Sequence, residues 1–173
     1  YAGCANEKVA QQRSRCLTDF VAKFPNSTLL PFVYRLEYLT YYELRDYVNT
    51  VEHVDRLLAL GDKLEFNSRL EALVARAQAF YLGSGQRALQ SPEQLNRARS
   101  TSAEGLKAVA EWKKPEGLTD EQYNQQKKGF TILFHSIAGI ASLQLKDYRP
   151  AAEALQAALA LEPNDALNNY RLG

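Results

Sequence analysis

Apolar side chains recur at spacings of three and four along almost the whole chain, and the strict alternation of a half-buried strand is missing. That period is one face of an α-helix, so the pattern predicts an all-α protein. A first, lone helix is expected over 5–24, with Val9, Cys16, Leu17, Phe20, Val21 and Phe24 along one side and Pro25-Asn26-Ser27 stopping it. A second, over 30–44, carries Phe32, Val33, Leu36, Tyr38, Leu39, Tyr41 and Tyr42, too many apolar positions for a helix that keeps one face in water. A third spans 48–60 with Val51, Val54, Leu57, Leu58 and Leu60, and Gly61 follows where a helix commonly ends in a left-handed residue.

The next helix, 66–82, ends at the Gly83-Ser84-Gly85 break, and 83–91 reads as the most flexible linker. Ser91-Pro92 then offers a capping hydroxyl followed by proline at the first helical position, opening a helix to about 112. Thr119-Asp120-Glu121-Gln122 has the form of a capping box and begins a long helix to 145. Ala151–Leu161 follows, stopped by Pro163, and 166–173 starts a further helix. Short turns between helices of similar length make neighbours antiparallel, which predicts hairpins at 30–61, 66–112 and 119–162 within a single domain of seven or eight helices.

Composition narrows the function classes. The chain has 21 basic and 20 acidic residues in 173, a net charge of +1 that exerts no long-range pull on nucleic acid or an anionic membrane. Basic pairs such as Arg97/Arg99 and Lys127/Lys128 have polar neighbours and read as solvated helix faces. No apolar run reaches the roughly 20 residues of a membrane-spanning helix. The two cysteines, Cys4 and Cys16, would lie ~18 Å apart on one continuous helix at ~1.5 Å per residue, so neither a disulfide nor a zinc site is expected. His53 reads as solvated on its helix, and His135 as a core substitute or a groove residue. There is no nucleophile beside a base, no carboxylate pair in an apolar setting and no phosphate-cradling glycine loop, so no enzyme, cofactor or metal is expected. Methionine is absent, which suggests a chain cut from a longer precursor.

Two internal echoes point to repetition. Leu44-Arg45-Asp46-Tyr47 recurs 101 residues later as Leu145-Lys146-Asp147-Tyr148, and Gly139 and Gly173 stand 34 apart. Three units of ~34 residues, the tetratricopeptide length, would span ~102. With Ile132 as first position, residues 132–173 resemble a tetratricopeptide repeat: Gly139 and Ala151 fall at small positions where paired helices touch, Ala158 and Pro163 complete the frame, and His135 and Ser142 depart from the usual aromatics. Residues 31–61 resemble a more divergent unit, with Tyr34 and Tyr41 at the aromatic positions but Tyr38 and Thr50 at the small ones. Phe24-Pro25-Asn26-Ser27 is similar to the inter-repeat junction of bacterial envelope members, and Tyr1-Ala2-Gly3-Cys4 resembles the end of a lipoprotein signal, with Tyr1 in place of an aliphatic residue.

The resemblance implies a right-handed superhelix of helical hairpins, an α-solenoid whose concave face binds a protein or peptide. Carried over by position, that face would hold Phe32, Arg35, Leu36, Leu39, Tyr42 and Glu43, then Leu73, Phe80 and Tyr81, then Ser136, Ile137, Ile140 and Gln144, with Leu70, Val74, Ala77, Leu133 and Leu143 beside them. The lining is apolar and lacks the lysine and asparagine of carboxylate-clamp members, which favours an amphipathic or apolar peptide. The resemblance also allows docking or regulatory modules of a larger enzyme or envelope transport assembly, a small-molecule sensor, and self-association through the uncapped last repeat.

Overall fold

Helical periodicity is realised throughout: in the computed structural model, which describes residues 1–173, 78% of residues lie in helices and none in a strand. Nine α-helices follow in order: α1 (Ala2–Ala5), α2 (Ala10–Lys23), α3 (Leu30–Glu43), α4 (Tyr47–Leu58), α5 (Phe66–Gly83), α6 (Pro92–Glu111), α7 (Asp120–Gln144), α8 (Tyr148–Leu161) and α9 (Ala166–Leu172). Short 3-10 turns occupy Gly61–Lys63 and Arg87–Gln90. The chain divides into two compact units, Tyr1–Gly83 and Ser84–Gly173. Their boundary falls inside the 66–112 segment, so α5 belongs to the first unit and α6 to the second.

Local chemistry explains where most helices start and stop. Ser91 Oγ accepts from the amide of Gln94, with Pro92 at the first position of α6. Thr119 and Gln122 form a reciprocal capping box at α7, each side chain accepting from the other's amide. Gly61 takes the left-handed conformation, φ 57°, after α4. The repeated tetrapeptide makes the same turn twice. Arg45 donates to the Tyr42 carbonyl and Asp46 to that of Tyr41, as Lys146 does to Leu143 and Asp147 to Ser142, the paired bonds of a Schellman ending. Arg45 and Lys146 accordingly have φ of 56° and 62°.

Two expectations at the N-terminal end are corrected. The lone helix over 5–24 is two elements: the chain leaves α1 at Asn6, the Glu7 side chain accepts from the Val9 amide, and Arg13 donates to the Glu7 carbonyl, so residues 6–9 fold back instead of continuing the helix. That reversal brings the Cα atoms of Cys4 and Cys16 to 5.4 Å, and the two are joined by a disulfide. The expectation of unpaired cysteines rested on one continuous helix, which the break removes. The Cys4 sulfur that a lipoprotein thioether would need is thereby bonded to Cys16.

In the first unit α3, α4 and α5 pack in sequence order, with α2 against α3 and α1 against α2. One core cluster joins Cys4, Leu17 and Val33, and another joins Tyr38, Val54, Leu57 and Ala72. Each fully buried leucine or phenylalanine, such as Leu17 or Phe80, contributes about 1.5–3 kcal/mol of transfer free energy. In the second unit α7 lies between α6 and α8, and α9 rests on α8. Both α7 contacts are closest at glycines: a Cβ on Gly105 would stand 2.3 Å from the Phe134 ring, and one on Gly139 2.6 Å from Leu155. Ala151 and Ala158 are fully buried on α8, the helix that meets α7 at Gly139. The 83–91 segment is better anchored than a flexible linker: Leu89 is buried, and the side-chain amides of Gln90 and Gln144 both donate to the Ser84 carbonyl.

Candidate functional site

The α3 face read from sequence is the part that reaches solvent. Phe32 and Leu39 are 58% and 39% exposed, Arg35 and Glu43 are exposed, and Leu36 and Tyr42 are half-buried. Phe32 and Leu39 sit seven residues apart, about 10.5 Å along the helix. Each borders a cavity. Pro31, Phe32 and Arg35, with Leu57, Lys63, Leu64, Glu65 and Ser68, enclose about 340 Å³. Tyr38, Leu39 and Tyr42, with Glu71, Val74, Ala75 and Gln78 of α5, enclose about 160 Å³.

A polar bar separates the two. Arg35 donates from Nη2 to Glu71 Oε1 at 2.6 Å and from Nε to Oε2 at 3.2 Å, a bidentate pair, and the Tyr38 hydroxyl donates to Glu71 Oε1 at 3.3 Å. Burial first, and the Glu71 charge second, push the Tyr38 phenol above its ordinary range, so it stays a hydrogen-bond donor. The hydrogen bond to Glu71 likewise favours the charged form of Arg35. The bar ties α3 to α5 beside both cavities, Arg35 lining the larger and Tyr38 and Glu71 the smaller.

Other residues of the expected surface belong elsewhere. Leu73, Phe80, Ser136, Ile137 and Ile140 are buried, which takes them off any open face; α7 packs between α6 and α8 and α5 against α4, so apolar positions aimed at a groove by spacing alone fill the interior instead. Ser136 receives a hydrogen bond from the Asn168 side chain at 2.7 Å and so seats α9. Tyr81 is half-buried, and Gln144 is exposed beside Ser84. The tyrosine-rich hairpin is mainly a seam: Tyr38 is 2% exposed, Tyr41 stacks on His53 at 4.7 Å, and Tyr42 meets Tyr47 edge-on.

Periodicity missed the polar interior. His53 is buried, against the expectation of a solvated face, with Nδ1 2.9 Å from Glu37 Oε2; Glu37 is 1% exposed and its Oε1 has no hydrogen-bond partner. The side chain of Arg76 on α5 is fully buried and donates to Asp55 of α4 at 2.7 Å. A glutamate within the apolar run Leu36-Glu37-Tyr38-Leu39 was the available signal, since a charge in so apolar a helix needs a buried partner. His135 is half-buried, and that burial lowers its pKa. No cluster of three or more histidine, cysteine, aspartate or glutamate side chains suits a metal ion, and no helix is long and apolar enough to cross a membrane. No protein-family model, no curated protein and no solved structure matches this chain.

Proposed function

We propose that this chain is a non-enzymatic interaction scaffold of tetratricopeptide-like hairpins that binds an amphipathic helical peptide along α3. The observation that carries the reading is the pair of cavities beside Phe32 and Leu39, two apolar anchor sites separated by the Arg35–Glu71 bar. Phe32 and Leu39, one beside each cavity, stand about 10.5 Å apart along α3, two helical turns, so large apolar residues at i and i+7 of a partner helix match both, and a polar residue at i+3 or i+4 faces the bar. An extended strand covers that distance in about three residues, which turns successive anchors to opposite faces. The repeat reading is supported by the identical turns at Leu44–Tyr47 and Leu145–Tyr148 and by the tight seats at Gly139, Ala151 and Ala158. The cystine supports folding in an oxidising compartment, in keeping with a cell-envelope location.

A displayed library of helical peptides with randomised i, i+3, i+4 and i+7 positions supplies the test. Selected sequences should converge on large apolar residues at i and i+7, and Phe32→Asp and Leu39→Asp should each weaken binding by about tenfold or more while the helical circular dichroism is kept. Tight binding that both folded variants retain would overturn the proposal. A small-molecule sensor is the second reading, favoured by the 340 Å³ cavity alone; it requires Phe32→Asp to matter and Leu39→Asp to be silent.

A further inference from the structure

We propose that the Cys4–Cys16 disulfide is a reducible clasp, whose opening frees α1 and uncovers an apolar patch on α2 and α3 without unfolding the rest of the first unit. α1 is a single turn of four residues, too short to persist without tertiary support, and Cys4 is its only buried residue. It is held by the disulfide, by packing on α2, by the place of Cys4 in one cluster with Leu17 and Val33, and by the edge of the Tyr1 ring against Phe20.

Downstream the chain is pinned independently. Arg13 donates to the Glu7 carbonyl and is itself fixed to Thr40 and Glu43 of α3. Release therefore stops near Glu7. α2 keeps its packing on α3, and α3 keeps its seams with α4 and α5. Beneath α1 lie Leu17 and Val33, both fully buried in one cluster with Cys4, beside half-buried Phe20. Phe24, whose ring meets that of Phe20, is already exposed, so the opened surface joins an apolar rim.

Cys16 is half-buried and Cys4 buried, which directs an incoming thiolate to the Cys16 sulfur. The attack forms a mixed disulfide at Cys16 and expels the Cys4 thiolate, which takes a proton; a second thiol then resolves the mixed disulfide. The protein gains two electrons and two protons, and two thiols of the reductant leave as one disulfide. Removing so short a crosslink raises local opening on the order of a hundredfold.

Nuclear magnetic resonance of the full chain, oxidised and reduced with dithiothreitol, provides the test. In the reduced chain the heteronuclear NOE at Ala2–Ala5 should fall to disordered values and the Leu17 and Val33 methyls should become accessible to a soluble paramagnetic probe. Amide shifts in α4 and α5 should hold. The Cys4→Ser/Cys16→Ser double variant should reproduce the reduced spectrum. Ordered α1 resonances in both reduced protein and variant would overturn the proposal, as would loss of dispersion across α2–α5, which makes the disulfide a staple of the whole unit.

Discussion

Arg45 and Lys146 each hold a left-handed backbone that glycine adopts without Cβ strain. Arg45→Gly and Lys146→Gly are therefore expected to raise stability by about 0.5–1 kcal/mol each in urea unfolding, because the bonds of both turns are already in place. Within α7 the sign depends on what a new methyl meets. Gly139→Ala presses on Leu155 and should cost about 1–3 kcal/mol, whereas Gly129→Ala, with open space at its Cβ, should add up to about 1 kcal/mol. His135 supplies the pH dependence. Burial lowers its folded pKa below the ordinary 6.5, so the unfolded chain binds the proton more readily, and stability should fall as pH drops through about 6.5. His135→Leu should flatten that acid limb in thermal melts between pH 5 and 7, and an unchanged limb would assign it to other groups.

Among elements, helix positions were legible because apolar spacing, Pro92, Gly61 and the Thr119 capping box each act within a turn or two of chain. The α1–α2 break was not legible, since it depends on Arg13 reaching back to Glu7 and on the closure of Cys4 onto Cys16. Nor was the pairing of α3 with α4 through Glu37 and His53, which sit sixteen residues apart on different helices. Removing one member leaves its partner's polar groups stranded. His53→Ala should cost about 3–5 kcal/mol, while the double change Glu37→Leu/His53→Leu should cost much less than the sum of its singles. Additive losses in a chemical-denaturation double-mutant cycle would show that the two act separately.

For the whole molecule, composition and period sufficed for an all-helical protein, and the small positions of residues 132–173 foretold where α7 and α8 touch. The candidate surface was legible only in part. Spacing identifies which residues share a helical face, but whether that face meets water depends on which sides of the helix its neighbours cover. α3 keeps Leu39 open, while the corresponding positions of α5 and α7, Ala77 and Ile140, fill the interior. The proposed activity therefore rests on one groove in the residues 1–83 unit. The most direct measurement is amide chemical-shift mapping of the ¹⁵N-labelled chain titrated with a selected helical peptide. The account predicts saturable shifts concentrated at Phe32, Arg35, Leu39 and Tyr42 of α3 and at Glu71 and Gln78 of α5. Saturable shifts confined to other surfaces, with α3 silent, would contradict it.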